Sequence, residues 1–211
     1  MFSCSHNLIT GHVGQYDRAH KIICVHYAHK SIDPPLTVET IEEIGLRYVT
    51  YSYRFADEVL NGKIALKKEI ESILSSQYIG LQALSRPNFN EVLRKEFVEK
   101  GWEDQPAVFN EEGDPSARMD FLKERIGIEV EFGHSSFLGI DLLKFQVASY
   151  SGINKIDIGV YIVTTKEFQK NMKVSYSQNW EGSLTFEKVV RYLPHFKSAI
   201  QVPIYVIGID I

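Results

Sequence analysis

Two segments, KIDIGVYIVTT (155–165) and VPIYVIGIDI (202–211), are near-continuous runs of apolar, mostly β-branched residues. A strand with one wet face alternates apolar and polar side chains. An unbroken apolar run needs cover on both faces, so these two predict central strands of a sheet with helices packed on either side. Between them KEFQKNM (166–172) and FEKVVRYL (186–193) have helical spacing. Strands alternating with helices predict an α/β chain. LRYVTYSYRF (46–55) reads as an alternating strand, and VETIEEIGL (38–46) before it as helical. ADEVLNGKIALKKEIESILSSQ (56–77) predicts one long amphipathic helical region with Val59, Leu60, Ile64, Leu66, Ile70, Ile73 and Leu74 as its buried stripe. FNEVLRKEFVEKGW (89–102) predicts a second helix stopped by Gly101. DLLKFQVASYSG (141–152) predicts a third, with Leu142, Leu143, Phe145, Gln146 and Tyr150 available for one face. The fold class is therefore α/β: a mixed central β-sheet of about five strands flanked by helices.

The 211 residues are enough for one well-buried core. Residues 1–46 differ from the rest, holding both cysteines, five of the seven histidines and the Pro34-Pro35 turn. They read as an N-terminal extension, with 47–211 as the working domain. No apolar run approaches the roughly 20 residues of a membrane span. The N-terminus has neither the basic start nor the apolar core of a secretory signal, so a cytoplasmic protein is expected, with Cys4 and Cys24 as free thiols. The net charge of -4 argues against a protein that coats nucleic acid non-specifically, which needs a basic face. It does not exclude an enzyme that reads one DNA site.

Chemistry concentrates in MDFLKERIGIEVEFGHSSF (119–137). At strand period Ile126, Ile128, Val130 and Phe132 share one face, while Gly127, Glu129, Glu131 and Gly133 share the other. Two carboxylates thus stand side by side, and Asp120 lies nine residues before the first of them. Three acidic oxygen donors suit a hard divalent cation such as Mg²⁺, and metal-assisted phosphodiester hydrolysis is the reaction such a cluster serves most often. The plainer reading is the polar face of an ordinary amphipathic strand. In the following GHSS (133–136), His134, Ser135 and Ser136 could meet DNA base edges, or simply cap the next helix.

Other chemistries are poorly supported. Cys4-Ser-His6 and Cys24-Val-His26 form two C-x-H pairs that could ligate zinc, but their spacing is not that of the usual structural fingers. No G-x-S-x-G turn, P-loop or dinucleotide fingerprint occurs.

With these segments in place the chain resembles the type II restriction endonucleases of the BglII and BstYI group, related to BamHI within the PD-(D/E)XK superfamily. The resemblance rests on MDFLKERIGIEVEFGHSSF, DLLKFQVASY, KIDIGVYIV and KEFQKNM in order, with NFNEVLRKEFVEKGW upstream, FADEVLN, and VPIYVIGIDI at the end. It covers about residues 47 to 211. It implies a homodimer that embraces palindromic double-stranded DNA, probes a GATC-centred site, and cuts both strands with Mg²⁺, one or two ions per active site, leaving 5'-phosphate ends. A cognate DNA methyltransferase is expected in the same system. The implied catalytic residues are Asp120, Glu129, Glu131 and Gln105, the last lying three residues after Trp102. The implied metal ligands are Asp120, Glu129 and the Ile128 carbonyl. BglII and BstYI carry Gln at the position of Glu131, which resembles the BamHI variant instead, and most relatives in the superfamily carry Lys there. His134, Ser135 and Ser136, together with Ser175, Ser177 and Gln178 of SYSQNW, are the implied DNA-contacting residues. Two rivals remain: a DNA-binding module that has lost cleavage, and a monomeric repair-type nicking nuclease.

Overall fold

The computed structural model describes residues 46–75, 85–108, 118–150, 152 and 154–211, with the backbone of two short strands at 15–16 and 22–23. In chain order the strands are β1 (Gln15–Tyr16), β2 (Ile22–Ile23), β3 (Arg47–Tyr53), β4 (Glu103–Asp104), β5 (Phe121–Lys123), β6 (Ile126–Val130), β7 (Ile158–Thr164) and β8 (Ile204–Asp210). The helices are α1 (Ala56–Asn61), α2 (Ile64–Leu74), α3 (Arg86–Glu99), α4 (Leu138–Tyr150), α5 (Lys166–Tyr176) and α6 (Phe186–Tyr192). All the strands join one mixed sheet in the order β2-β1-β3-β8-β7-β6-β5-β4. Its centre, β6-β7-β8, is parallel, and every other pairing is antiparallel. Among the described residues the five strands of three or more residues match the expected number; β1, β2 and β4 add two-residue margins that leave almost no periodicity in a sequence.

The two apolar runs are the middle of the sheet, and every residue of β7 is buried. Two cores account for this. On one face Ile158, Val160, Ile162 and Ile207 pack with α1, α2, α3 and α5. On the other Tyr161, Val163, Ile204 and Val206 pack with α4 and α6. Thr165 and Thr185 start α5 and α6, each accepting a hydrogen bond from a main-chain N–H three residues on.

Two helices depart from the sequence reading. The region expected as one helix over 56–77 is two, broken at Gly62 and Lys63. Lys67 folds across the break and donates to Asp57 Oδ1 at 2.5 Å and Asn61 Oδ1 at 3.0 Å, clasping the pieces together. Ile64, expected in the stripe, is exposed. Helix α4 starts at Leu138 and buries Leu138, Leu142, Phe145 and Ala148, leaving Leu143 and Tyr150 outside. Its close approach depends on Gly159: a Cβ there would meet the Phe145 ring at 2.7 Å. The helix at 38–46 and the C-x-H pairs fall outside the described residues, except for Leu46. Part of the expected extension does reach the sheet, since Gln15 pairs with Val49.

Candidate active site

The site begins with a hairpin. β5 and β6 are antiparallel, with Phe121 opposite Ile128, and are joined through Glu124 and Arg125. Both turn residues have positive φ, 44° and 67°, as a two-residue turn matching strand twist requires. Neither is glycine, so anchoring offsets the strain: Arg125 Nε donates to Asp157 Oδ1 at 2.8 Å, and the Asp157 N–H donates back to the Arg125 carbonyl. This register sets Asp120 level with Glu129. The Val130 N–H donates to Asp120 Oδ2 at 2.7 Å, and the Gln105 N–H donates to the Asp120 carbonyl at 2.9 Å. Gln105 adopts φ 52° there, so its main chain braces Asp120.

The two faces of β6 divide as the strand period predicts. Ile126 and Ile128 enter the core, with Phe132 stacked on Phe89 at 4.8 Å between ring centroids and edge-on to Trp180 at 5.5 Å. Glu129 faces α4 and is 3 % exposed. There its Oε1 lies 2.7 Å from Lys144 Nζ, which is also 3.1 Å from Asp141 Oδ1 and donates to the Arg118 carbonyl. Asp141 Oδ2 accepts from the Tyr161 hydroxyl at 2.8 Å. The ammonium is near Glu129 Oε1 but poorly directed at it, because that oxygen has no hydrogen-bond partner of good geometry.

Among the described residues, one ammonium thus contacts Glu129 and Asp141, and its charge also acts on Asp120 and Glu131, in a mostly buried site. Burial, then the charge of Asp120, pushes Glu129 up to about 9. Burial, then the charge of Asp141, pushes Glu131 up to about 7. Asp120 is also raised by burial, with the Val130 N–H and Lys144 pulling it back. Burial lowers Lys144, but the nearby charges of Glu129 and Asp141 outweigh it and hold the ammonium charged. The cluster carries more negative charge than its one lysine balances, so at neutral pH it retains a proton or recruits a cation.

The three expected acids do not stand as a finished metal cage. Among the described residues no group of three or more His, Cys, Asp and Glu side chains is set to hold an ion. Glu131 Oε1 instead folds back to accept from the Gly133 N–H. The donor set nonetheless fits a divalent cation, given the surplus buried charge and the unsatisfied Glu129 oxygen. Mg²⁺ takes one or two carboxylates and fills its other positions with water and phosphate oxygens. The Ile128 peptide is less favourably turned than expected. The Glu131 N–H donates to Ile162 of β7, so alternate peptides of β6 face β5, and Ile128 lies opposite Phe121 in that ladder. The Val130 peptide faces the same way but beyond the end of β5, beside Asp120.

A Cβ added to Gly133 would meet Glu131 Oε1 at 2.7 Å. Gly133→Ala is therefore expected to displace the carboxylate while changing folding stability by no more than about 0.5 kcal/mol. Parallel measurements of thermal unfolding and plasmid cleavage check this: cleavage should fall without a matching loss of Tm.

Past the strand, His134 caps a 3₁₀ turn (Ser135–Phe137). Its Nδ1 accepts from the Ser136 N–H at 3.3 Å and lies 3.0 Å from Ser136 Oγ. Both side chains are exposed. Ser135 Oγ accepts from Lys188 Nζ at 2.6 Å. The loop is pinned by a bridge between His134 and Ser183 and by the Leu184 N–H donating to the Gly133 carbonyl. Ser175 is exposed in the last turn of α5, Ser177 caps its end with φ 54°, and the Gln178 N–H donates to Met172. From these three the chain continues past Trp180 to Ser183, which bridges to His134. The sequence reading missed Asp141, Lys144 and Lys188. The first two sit three apart on a helix read for its apolar face alone, and that i,i+3 spacing beside a carboxylate strand was the available signal.

The chain matches the family model described as restriction endonuclease BglII/BglIII over residues 48–209. The chain belongs to this family. It is accordingly a restriction endonuclease, a site-specific deoxyribonuclease. Among solved structures it is similar to the restriction endonuclease BglII complexed with a DNA 16-mer, at 20% identity and TM-score 0.60 over 76% of this chain and 75% of that one. It is also similar to free BglII, at 21% identity and TM-score 0.51 over 76% and 78%. Both show that the chain has the BglII fold. No curated protein sequence matches it. No helix among the described residues is long and apolar enough to cross a membrane.

Proposed function

We propose that this BglII-family enzyme is a type II endonuclease acting as a homodimer, cutting both strands of a short palindromic, GATC-centred sequence with Mg²⁺ and leaving 5'-phosphate ends. The observation that carries the reading is the buried, negatively over-charged cluster at the end of β6, directly beside a loop of exposed polar side chains. Asp120, Glu129 and the Val130 carbonyl, in place of Ile128, are the groups that would hold the ion. A bound divalent ion supplies Lewis acidity at the scissile phosphate and lowers the pKa of the attacking water. Glu131 accepts that water's proton, a task suited to a carboxyl held near 7. Gln105 keeps Asp120 in place through its main chain. His134, Ser135 and Ser136 face the bases, and Ser175, Ser177 and Gln178 flank the duplex.

Pairing of two copies is supported by α4. Phe137, Ile140, Leu143 and Tyr150 recur along one side of the helix and its entry turn, each more than half exposed. A stable interface buries about 800 Å² per partner around such a centre. A second copy seated there would bring two sites to a two-fold sequence. Leu143→Glu is expected to yield a monomer by light scattering and to lower double-strand cutting at least tenfold, an effect of about 1.4 kcal/mol. A variant that stays dimeric counts against this face.

The direct test is digestion of random-sequence DNA with purified protein and Mg²⁺, followed by sequencing of the ends. A fixed palindrome with 5'-phosphates is expected. Random nicks would favour the monomeric repair-type reading, and intact DNA bound at one sequence the inactive module. Cleavage in the cytoplasm also requires a cognate methyltransferase to protect the host's own sites.

A further inference from the structure

Lys144 has no role in the scheme above, yet it sits among all the charged groups of the site. Its side chain is 14 % exposed, its Nζ lies between Glu129 Oε1 and Asp141 Oδ1, and it draws down the pKa of both Asp120 and Glu131. The two carboxylates it touches are held differently. Asp141 is fixed from behind by the Tyr161 hydroxyl and shares a helix with Lys144, so it is a permanent partner. Glu129 has no such backing: its Oε1 meets the ammonium at 2.7 Å and accepts no hydrogen bond from any other group, so it is a partner that can be given up. A divalent ion on Glu129 and Lys144 Nζ at 2.7 Å from the same oxygen would compete for one charge.

Resting on the metal-dependent reading above, we propose that Lys144 is a tethered counter-cation: it holds Glu129 in place before the divalent ion arrives and withdraws to Asp141 when the ion binds, thereby setting the enzyme's metal affinity. It is a positioning residue, acting through Glu129. Two substitutions at adjacent points of the relay then have opposite effects. Lys144→Gln removes the competitor and tightens metal binding. Asp141→Asn removes the refuge, leaves the ammonium on Glu129 and weakens metal binding. Damage to a merely structural ion pair would weaken binding in both.

The test is calorimetric titration of the full-length protein with Mg²⁺ at about pH 8.5, with each variant's Tm as a folding control. Binding on the order of tenfold tighter for Lys144→Gln and tenfold weaker for Asp141→Asn is expected, the size of ordinary coupling between ligands of one site. Lys144→Arg, which keeps the charge, should stay close to wild type. Weaker or unchanged binding in Lys144→Gln overturns the proposal. Should Lys144→Gln not fold, tighter or unchanged binding in Asp141→Asn overturns it. Wild-type protein that takes up no Mg²⁺ at all would instead bring down the metal-dependent reading beneath it.

Discussion

Asp120→Asn is expected to lower DNA cleavage by about 10³-fold while leaving sequence-specific binding within a few-fold and raising the Tm of the metal-free protein. The amide keeps an oxygen for the Val130 N–H, so the end of the hairpin stays fastened. The substitution takes one negative charge out of a buried cluster where four carboxylates face one ammonium. Loss of that repulsion stabilises the fold, and loss of the same charge removes the affinity for a cation. Stability and catalysis are thus opposed at this residue, as is common where an active site stores unfavourable charge. Glu129→Gln should behave alike, since burial and Asp120 already hold its carboxyl far above the usual range. Cleavage of a plasmid and a gel-shift titration on the same protein check both variants. A parallel fall in cutting and binding would assign these acids to the scaffold.

The metal-free enzyme is also expected to lose folding stability as pH rises from about 5 to 9. Glu129 and Glu131 both start from 4.5 and are pushed up to about 9 and about 7 in the folded protein. The unfolded chain therefore releases these protons first. Their contribution is fully present below the unfolded value, falls as pH climbs past it, and levels off as each folded group ionises. The slope approaches about 1.4 kcal/mol per pH unit for each extra proton held by the native state. Chemical denaturation at a series of pH values gives the slope directly. Adding Mg²⁺ should flatten it, because an ion that binds only the folded, ionised cluster restores the lost stability. A metal-free protein that grows more stable over this window would mean that the carboxylates are already ionised and fully paired.

The central sheet was legible because β7 and β8 are apolar on both faces and long enough to admit no other reading. The carboxylate strand was legible because its alternation survives folding: Ile126 and Ile128 go one way and Glu129 the other. The break in the helical region at 56–77 was obscured, since its apolar spacing runs smoothly past Gly62 and only the Lys67 clasp reveals two pieces. The role of α4 was half visible. Its buried stripe follows from helical period, but the sequence does not say that Lys144 on its flank meets Glu129, fifteen positions earlier. That contact depends on how far the helix settles onto Gly159. Likewise the turn of Glu131 toward Gly133 is a rotamer set by one N–H, and no periodicity encodes it.

That last contact has a consequence for fidelity. The N–H that holds Glu131 belongs to Gly133, and Gly133 is also the residue through which the His134–Ser136 turn is moored to Leu184. On the function proposed above, the proton acceptor and the base-facing turn are therefore not two parts joined by a linker but neighbours sharing one residue. A duplex that fits the turn badly and tilts it by an ångström would move the Glu131 carboxylate by a similar amount. A near-cognate sequence would then be bound and released uncut, its discrimination expressed in the rate of cleavage as well as in occupancy.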